Sequence, residues 1–144
     1  MNQHTITMLQ RHFAESPVLH GRPATNTEIM RAQQQLTCKF VPDYIEFLRL
    51  FGCGIVGPDP VFGIGVAQAM GDTDDVVWQT KYFREQRWPG VDGWYVISED
   101  ARGNPIGIDP YGKVRRSDHD VGDISIVADD FESFLLDRLR ATKR

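Results

Sequence analysis

The sequence predicts a single α+β domain, with helices first, then a mainly antiparallel sheet flanked by them, then a closing helix. In the first half, apolar residues recur with the period of a helix. From residue 93 onward, short apolar runs alternate with Gly, Asn, Asp and Pro, as in strands joined by tight turns. Helices and strands are therefore grouped along the chain instead of alternating, which is typical of the α+β class. A chain of 144 residues is the usual size of one domain.

Each helix of the first half has a recognisable start. Residues 3–14 have a loose apolar face, and TNTE at 25–28 is a capping box that predicts a second helix ending near Leu36. A third helix begins at Pro42, because the first helical position needs no N–H donor. Its large apolar residues share one face, which predicts that this face is buried: Tyr44, Phe47, Leu48 and Phe51.

A glycine-rich connection and a fourth helix follow. Gly52 and Gly54 end the third helix, since glycine enters the left-handed region freely. Residues 52–71 contain 6 glycines and 2 prolines, which predicts an irregular connection with one short strand around residues 61–64. Residues 71–88 predict another helix, whose acidic residues at the start and basic residues near the end suit the helix dipole.

The second half predicts four antiparallel strands, in residues 93–100, 105–110, 113–120 and 123–130. In the first of them, Trp94 and Tyr95 should point to opposite faces of the sheet, one inward and one outward. A last helix starts near Asp129, with Asp129 or Asp130 as its cap. Its apolar residues lie along one side: Phe131, Phe134, Leu135 and Leu139.

The negative charge belongs to the second half of the chain. The formal net charge is −4; residues 51–98 carry 3 basic and 6 acidic side chains, and residues 99–130 carry 4 and 8. Binding to a phosphate backbone needs clustered Lys and Arg, so we do not expect direct nucleic-acid binding. A basic protein partner fits this charge better.

The sequence predicts a cytoplasmic protein without membrane contact. The first residues, 1–13, lack the basic start and apolar stretch of a signal peptide, and no run approaches the ~20 apolar residues of a membrane span. Cys38 and Cys53 form no CxxC pair, so free thiols in a reducing compartment are the simplest interpretation.

No catalytic or cofactor motif is visible. Neither cysteine lies in a motif with one of the four histidines, and FGIG and FGCG match no phosphate-binding or dinucleotide-binding pattern. Asp118, His119 and Asp120 are the strongest metal candidates, but in a strand the two aspartates would face one side and the histidine the other. We therefore predict a polar turn or strand end at SDHD, and no metal, cofactor or catalytic residue.

The order of these elements resembles the SUKH superfamily. The segment TNTEIMRAQQQLTCKFVPDYIEFLRLFGCG carries the family's opening pattern in Ile29, Leu36, Pro42, Tyr44, Phe47, Leu48, Gly52 and Gly54. The later segment, from YVISED to FESFLLDRL, is similar to its run of strands and closing helix. The resemblance covers about residues 25–140 of one domain spanning 1–144. The family's helix usually ends in Asn-Gly-Gly, whereas this chain has Phe51-Gly52-Cys53-Gly54.

The resemblance implies a binding protein. Bacterial members are typically immunity proteins that neutralise toxins of competing cells, often nucleases or deaminases, and fungal relatives regulate cell-wall synthesis through protein contacts. The leading hypothesis is accordingly an immunity protein that binds one cognate toxin. A regulatory or scaffolding module without a toxin is the second hypothesis, and an enzyme using Asp118, His119 and Asp120 is the third.

The candidate toxin-binding residues combine acidic side chains with aromatic anchors. A basic toxin would meet carboxylates, and tryptophan is enriched among the residues that dominate binding energy. The candidates are Asp72, Asp74, Asp75, Trp78, Trp88, Asp118 and Asp120. Each has a structural alternative: the first three aspartates can cap a helix, the last two can belong to a solvated turn, and either tryptophan can pack in the core.

Overall fold

The structure, a computed structural model, describes residues 1–142 and confirms the α+β fold. The α-helices are α1 (Gln3–Glu15), α2 (Asn26–Leu36), α3 (Pro42–Phe51), α4 (Val76–Glu85) and α5 (Phe131–Thr142). Strands β1 (Gly54–Val56) and β2 (Asp59–Val61) form an antiparallel hairpin. Strands β3 (Tyr95–Glu99), β4 (Pro105–Ile108), β5 (Val114–Asp118) and β6 (Asp123–Ala128) form an antiparallel sheet in chain order. Short 3₁₀ turns occupy Pro17–Leu19 and Val91–Gly93.

The helix ends follow the local signals in the sequence. The Glu28 N–H donates to the Thr25 hydroxyl at 3.1 Å, and the Thr25 N–H donates to the Glu28 carboxylate at 3.0 Å, so both halves of the capping box form. Asp130 caps α5, because its carboxylate accepts from the Ser133 N–H at 2.7 Å. Gly52 ends α3 at φ +76° and donates its N–H to the Leu48 carbonyl at 2.9 Å.

Two predictions for the middle of the chain are wrong in their boundaries. The short strand expected around residues 61–64 ends at Val61, and its hairpin partner β1 was not predicted. The helix expected over residues 71–88 begins only at Val76. The reason is tertiary: the Val76 N–H donates to the Gly63 carbonyl at 2.8 Å, which holds Asp75 extended beside Gly63 after a turn at residues 71–74.

The core joins α3 and α5 to one face of the four-stranded sheet. Tyr44 lies at its centre, fully buried, with its hydroxyl donating to the Phe62 carbonyl at 2.7 Å. Its ring contacts those of Tyr95 and Phe131 at centroid distances of 5.4 and 5.3 Å. The predicted apolar faces of α3 and α5 are all buried in this core.

The expectation that one of Trp94 and Tyr95 faces outward is wrong, since both are buried. The sheet is covered on both faces at this strand. Tyr95 packs against the α3 side and accepts the Val41 N–H on its hydroxyl at 2.9 Å. On the other face, Trp94 packs on Gly107 of β4 and beside Gly90. Helix α4 lies along the outer edge of β3, where Thr80 accepts the Val96 N–H at 2.8 Å and Arg84 donates to the Trp94 carbonyl at 2.7 Å.

The two cysteines are free, as expected from the sequence. Cys53 is buried, and burial raises the pKa of its thiol to about 11. Cys38 is half-buried, with the Arg84 guanidinium 3.1 Å from its sulfur.

Phe47→Ala tests the buried face of α3. Phe47 is fully buried and its ring contacts Phe51 and Phe131, so we expect the free energy of unfolding to fall by about 3–5 kcal/mol. Urea denaturation of both proteins gives this difference. Leu50→Ala, on the exposed side of the same helix, is the control. A loss for Phe47→Ala no larger than the control's would contradict the core assignment.

Candidate partner-binding surface

Helix α4 presents two large aromatic side chains to solvent. Asp75 caps its start, accepting the Trp78 N–H on its carboxylate at 2.9 Å. Trp78 and Tyr82 lie four residues apart and therefore on the same face. Their rings stack at 5.2 Å with planes 12° apart, and the two residues are 44% and 42% exposed. Such a pair is a rigid apolar contact surface of the kind enriched at protein interfaces.

The end of α4 turns Trp88 back onto the helix. Arg87 adopts φ +56°, the left-handed conformation usually given to glycine after a helix. The Arg87 N–H donates to the Arg84 carbonyl at 3.1 Å, and the Trp88 N–H donates to the Phe83 carbonyl at 3.3 Å. These are the two bonds of a Schellman motif, and the Trp88 ring meets the Phe83 ring edge-on at 5.4 Å.

These rings form one continuous series, which we call the α4 aromatic ladder: Trp78, Tyr82, Phe83, Trp88 and His119. Tyr82 contacts Phe83 at 5.2 Å, and Trp88 contacts His119 of the β5–β6 turn at 4.8 Å. Phe83 is buried and Trp88 half-buried, whereas the two ends of the ladder are exposed. The structure thus links the two candidate tryptophans through ring contacts and brings Trp88 to the SDHD turn.

The candidate aspartates before α4 have mixed roles. Asp75 is the helix cap, and Asp74 accepts the Gly71 N–H on its carboxylate at 2.9 Å. Asp72 is exposed. Only Asp75 therefore has the helix-capping role that the sequence allowed, whereas Asp74 closes a turn before the helix. Each of these bonds uses one oxygen of its carboxylate.

The SDHD segment is the end of β5 followed by a turn, as predicted. The Asp118 carboxylate accepts the N–H groups of Asp120 and Val121 at 3.0 and 3.4 Å. Asp120 is exposed at the tip of this turn.

Across residues 1–142, no three His, Cys, Asp or Glu side chains lie together as metal ligands would. Within the same residues, no helix is long and apolar enough to span a membrane.

Acidic side chains from different elements share an electrostatic environment near the start of α4. Burial raises the pKa of Glu99, and the negative charges of Asp74 and Asp100 raise it further. Asp100 also approaches Arg116 of β5 at 3.8 Å. The end of β3 therefore adds carboxylates beside the loop that carries Asp72.

A groove of about 440 Å³ separates α2 from α4 beside Trp78. Ala32, Ile64 and Val77 line it, together with two basic and two acidic residues: Arg31, Lys81, Glu28 and Asp75. The groove widens the apolar surface of the ladder, but its local charge is not acidic.

Sequence reasoning missed several members of this surface. Tyr82 could have been found from its four-residue spacing to Trp78. The ring contact between His119 and Trp88 joins residues distant in sequence, so no local signal points to it. The left-handed Arg87 was missed because that position is normally marked by glycine.

Arg87→Gly tests the end of α4. Glycine relieves the left-handed strain of Arg87, so we expect the free energy of unfolding to rise by about 1 kcal/mol, measured by urea denaturation. Gln86→Gly, at φ −77°, is the control and should lower it by roughly 0.5–1 kcal/mol. If Arg87→Gly also lowers stability, the Schellman ending is not the conformation in solution.

Comparison with protein families supports the resemblance. The family model SUKH_5, described as SMI1-KNR4 cell-wall, matches residues 3–140. The match includes α1, which the resemblance did not cover. No curated protein matches the sequence. Because the family model covers nearly the whole chain, this protein belongs to the SMI1-KNR4 family of the SUKH superfamily.

Proposed function

We propose that this protein is an immunity protein, which neutralises a cognate bacterial toxin in the cytoplasm by direct one-to-one binding. The proposal combines family membership with one observation: an exposed, stacked Trp78–Tyr82 pair on a capped helix, with acidic loops beside the ladder. The protein acts in this account by covering its partner rather than by catalysis.

The aromatic ladder supplies the central contacts of the proposed interface. Trp78 and Tyr82 each have one face or edge open to solvent, and their mutual stacking limits their movement. A partner that covers them removes apolar area from water and loses little side-chain entropy in doing so. Residues of this kind, near the middle of an interface, account for most of the binding energy.

The aspartates supply long-range attraction to a basic toxin. Asp72 and Asp120 are exposed. Asp74, two residues after Asp72, and Glu99 add negative charge on the Asp72 side. A nuclease domain needs positive charge to hold phosphate, and carboxylates can occupy that site. Complementary charge mainly accelerates encounter and selects the partner, while the aromatic residues slow dissociation.

A regulatory module without a toxin is the second candidate function. The description of the matching family model, SMI1-KNR4 cell-wall, favours it. The neighbouring gene separates the two: a gene encoding a growth-inhibiting toxin directly upstream supports immunity, whereas its absence favours the regulatory module.

Substitutions on the ladder and in the acidic loops test the proposed interface. Trp78→Ala should weaken binding of the neighbouring gene's toxin by about 2 kcal/mol, roughly thirtyfold in Kd, mainly through faster dissociation.

Two sets of substitutions test the acidic loops: Asp72→Asn with Asp74→Asn and Asp75→Asn, and Asp118→Asn with Asp120→Asn. Asparagine removes the charge but keeps an oxygen that can accept the observed backbone hydrogen bonds. At least one of these two sets should slow association and weaken its dependence on salt.

Tyr111→Ala is the matched aromatic control, since Tyr111 is 87% exposed in the β4–β5 turn, away from the ladder. Association and dissociation rates are measured at low and high salt for every variant, after circular dichroism has shown each to be folded. Unchanged rates for Trp78→Ala and for both asparagine sets would place the interface elsewhere and refute the proposed surface.

A further inference from the structure

Strand β6 is the uncovered edge of the four-stranded sheet. The opposite edge, β3, is covered: the Ile97 carbonyl accepts the Phe62 N–H at 2.7 Å, and the Val96 N–H donates to Thr80 at 2.8 Å. In contrast, β6 pairs with β5 alone. Within residues 1–142, no backbone hydrogen bond joins residues 123–128 to any element other than β5.

The outer edge of β6 is only partly protected against strand pairing, by a bulge near its end. It contains neither Lys nor Pro, the residues that commonly block an edge. The register shift against β5 leaves Val127 as an extra residue, so residues 123–126 remain regularly paired. Ile124 and Ile126 are 38% and 55% exposed. By strand alternation they share one face, where Ile124 lies against Gly90.

The charges near the ends of β6 determine which kind of strand can pair with it favourably. Residues 118–123 carry three aspartates at one end of β6, and residues 129 and 130 are two more at the other end. In the middle of the strand, Arg115 and Arg116 of β5 lie opposite Ile126 and Ser125. Antiparallel pairing of two copies about the middle of β6 would bring Asp123 of each copy towards the Asp129 end of the other. Like charges facing across strands are destabilising, so a second copy is a poor occupant. A strand with a cation at each end is a better occupant, because its charges complement the aspartates at both ends of β6.

We propose that β6 binds an extended segment of a partner protein as an added strand of the sheet. The segment carries apolar residues at alternate positions, which cover Ile124 and Ile126, and a Lys or Arg at each end, which meet Asp123 and Asp129. Main-chain hydrogen bonds supply affinity, and the side chains supply selectivity. This inference goes beyond the proposed function, because it specifies a binding mode for a separate edge and does not depend on the partner being a toxin.

Local contacts at the edge are compatible with strand addition. The Ile124 N–H donates to the Asp123 carboxylate at 2.9 Å, so an incoming strand has to displace only this neighbouring contact. The exposed Asp129 makes a 3.6 Å ion pair with Lys113, which solvent weakens.

The probe is a short capped peptide in which valine and threonine alternate between a lysine at each end. Titrated into the ¹⁵N-labelled protein, it should shift the amide resonances of residues 123–128 at submillimolar to millimolar concentrations. The same peptide with glutamate at both ends should bind about tenfold more weakly or not at all. Ile126→Lys places a cation on the edge and should weaken binding of the lysine peptide by about tenfold.

Met30→Lys is the matched control, because Met30 is as exposed as Ile126 (57%) but lies on α2. It should leave peptide binding unchanged. The proposal is overturned if the lysine peptide shifts no resonance of β6, if both peptides bind equally, or if Ile126→Lys and Met30→Lys behave alike. Concentration-dependent shifts of β6 without peptide would also overturn it, by identifying a second copy as the occupant.

Discussion

The arrangement of the domain depends on a close approach between backbones at Gly63. A Cβ atom there would lie 1.8 Å from the Gly52 carbonyl oxygen, so only glycine fits without a rearrangement. The Ile64 N–H donates to that same carbonyl at 3.0 Å, and the Gly63 carbonyl accepts the Val76 N–H at 2.8 Å. The end of α3 and the start of α4 are therefore fixed through one glycine. The buried Tyr44, bonded to the Phe62 carbonyl, holds the same segment from the core side.

This constraint links the scaffold to the candidate surface. Because α3 is held by its buried face and α4 by Gly63, the exposed side of α4 has a defined position relative to the sheet. Side chains on the buried side of α4, such as Thr80 and Arg84, bond to β3 and the residue before it. The aromatic ladder can then offer a rigid surface, which lowers the entropy lost on binding. Residues that hold the fold and residues proposed to bind are thus largely separate.

Local signals predicted most of the fold. The capping box, Pro42, the terminal glycines and the helical spacing of apolar residues located α1, α2, α3 and α5 to within about two residues, because each is decided by neighbouring residues. The turns located the four strands of the larger sheet. The hairpin β1–β2 and the late start of α4 were missed, since backbone contacts to Gly63 and Ile97 determine them. The burial of both Trp94 and Tyr95 also depends on elements packed against both faces of the sheet.

The candidate surface was predicted less completely than the fold. Composition pointed to acidic and aromatic residues in the second half, but only the structure relates Trp88 to His119, or Asp74 to Glu99. Such relations arise between distant parts of the chain, and a single sequence has no signal for them. The open edge of β6 likewise depends on the strand order, which local patterns leave undetermined.

The central claim is that the fixed helix α4 carries the partner-binding surface. Amide hydrogen exchange of the protein, alone and with the toxin encoded by the neighbouring gene, tests this claim most directly. The account predicts slower exchange in the complex for residues 76–88 and for the SDHD turn, with little change in α1. Slower exchange confined to α1 and α2, with exchange in α4 unchanged, would contradict it.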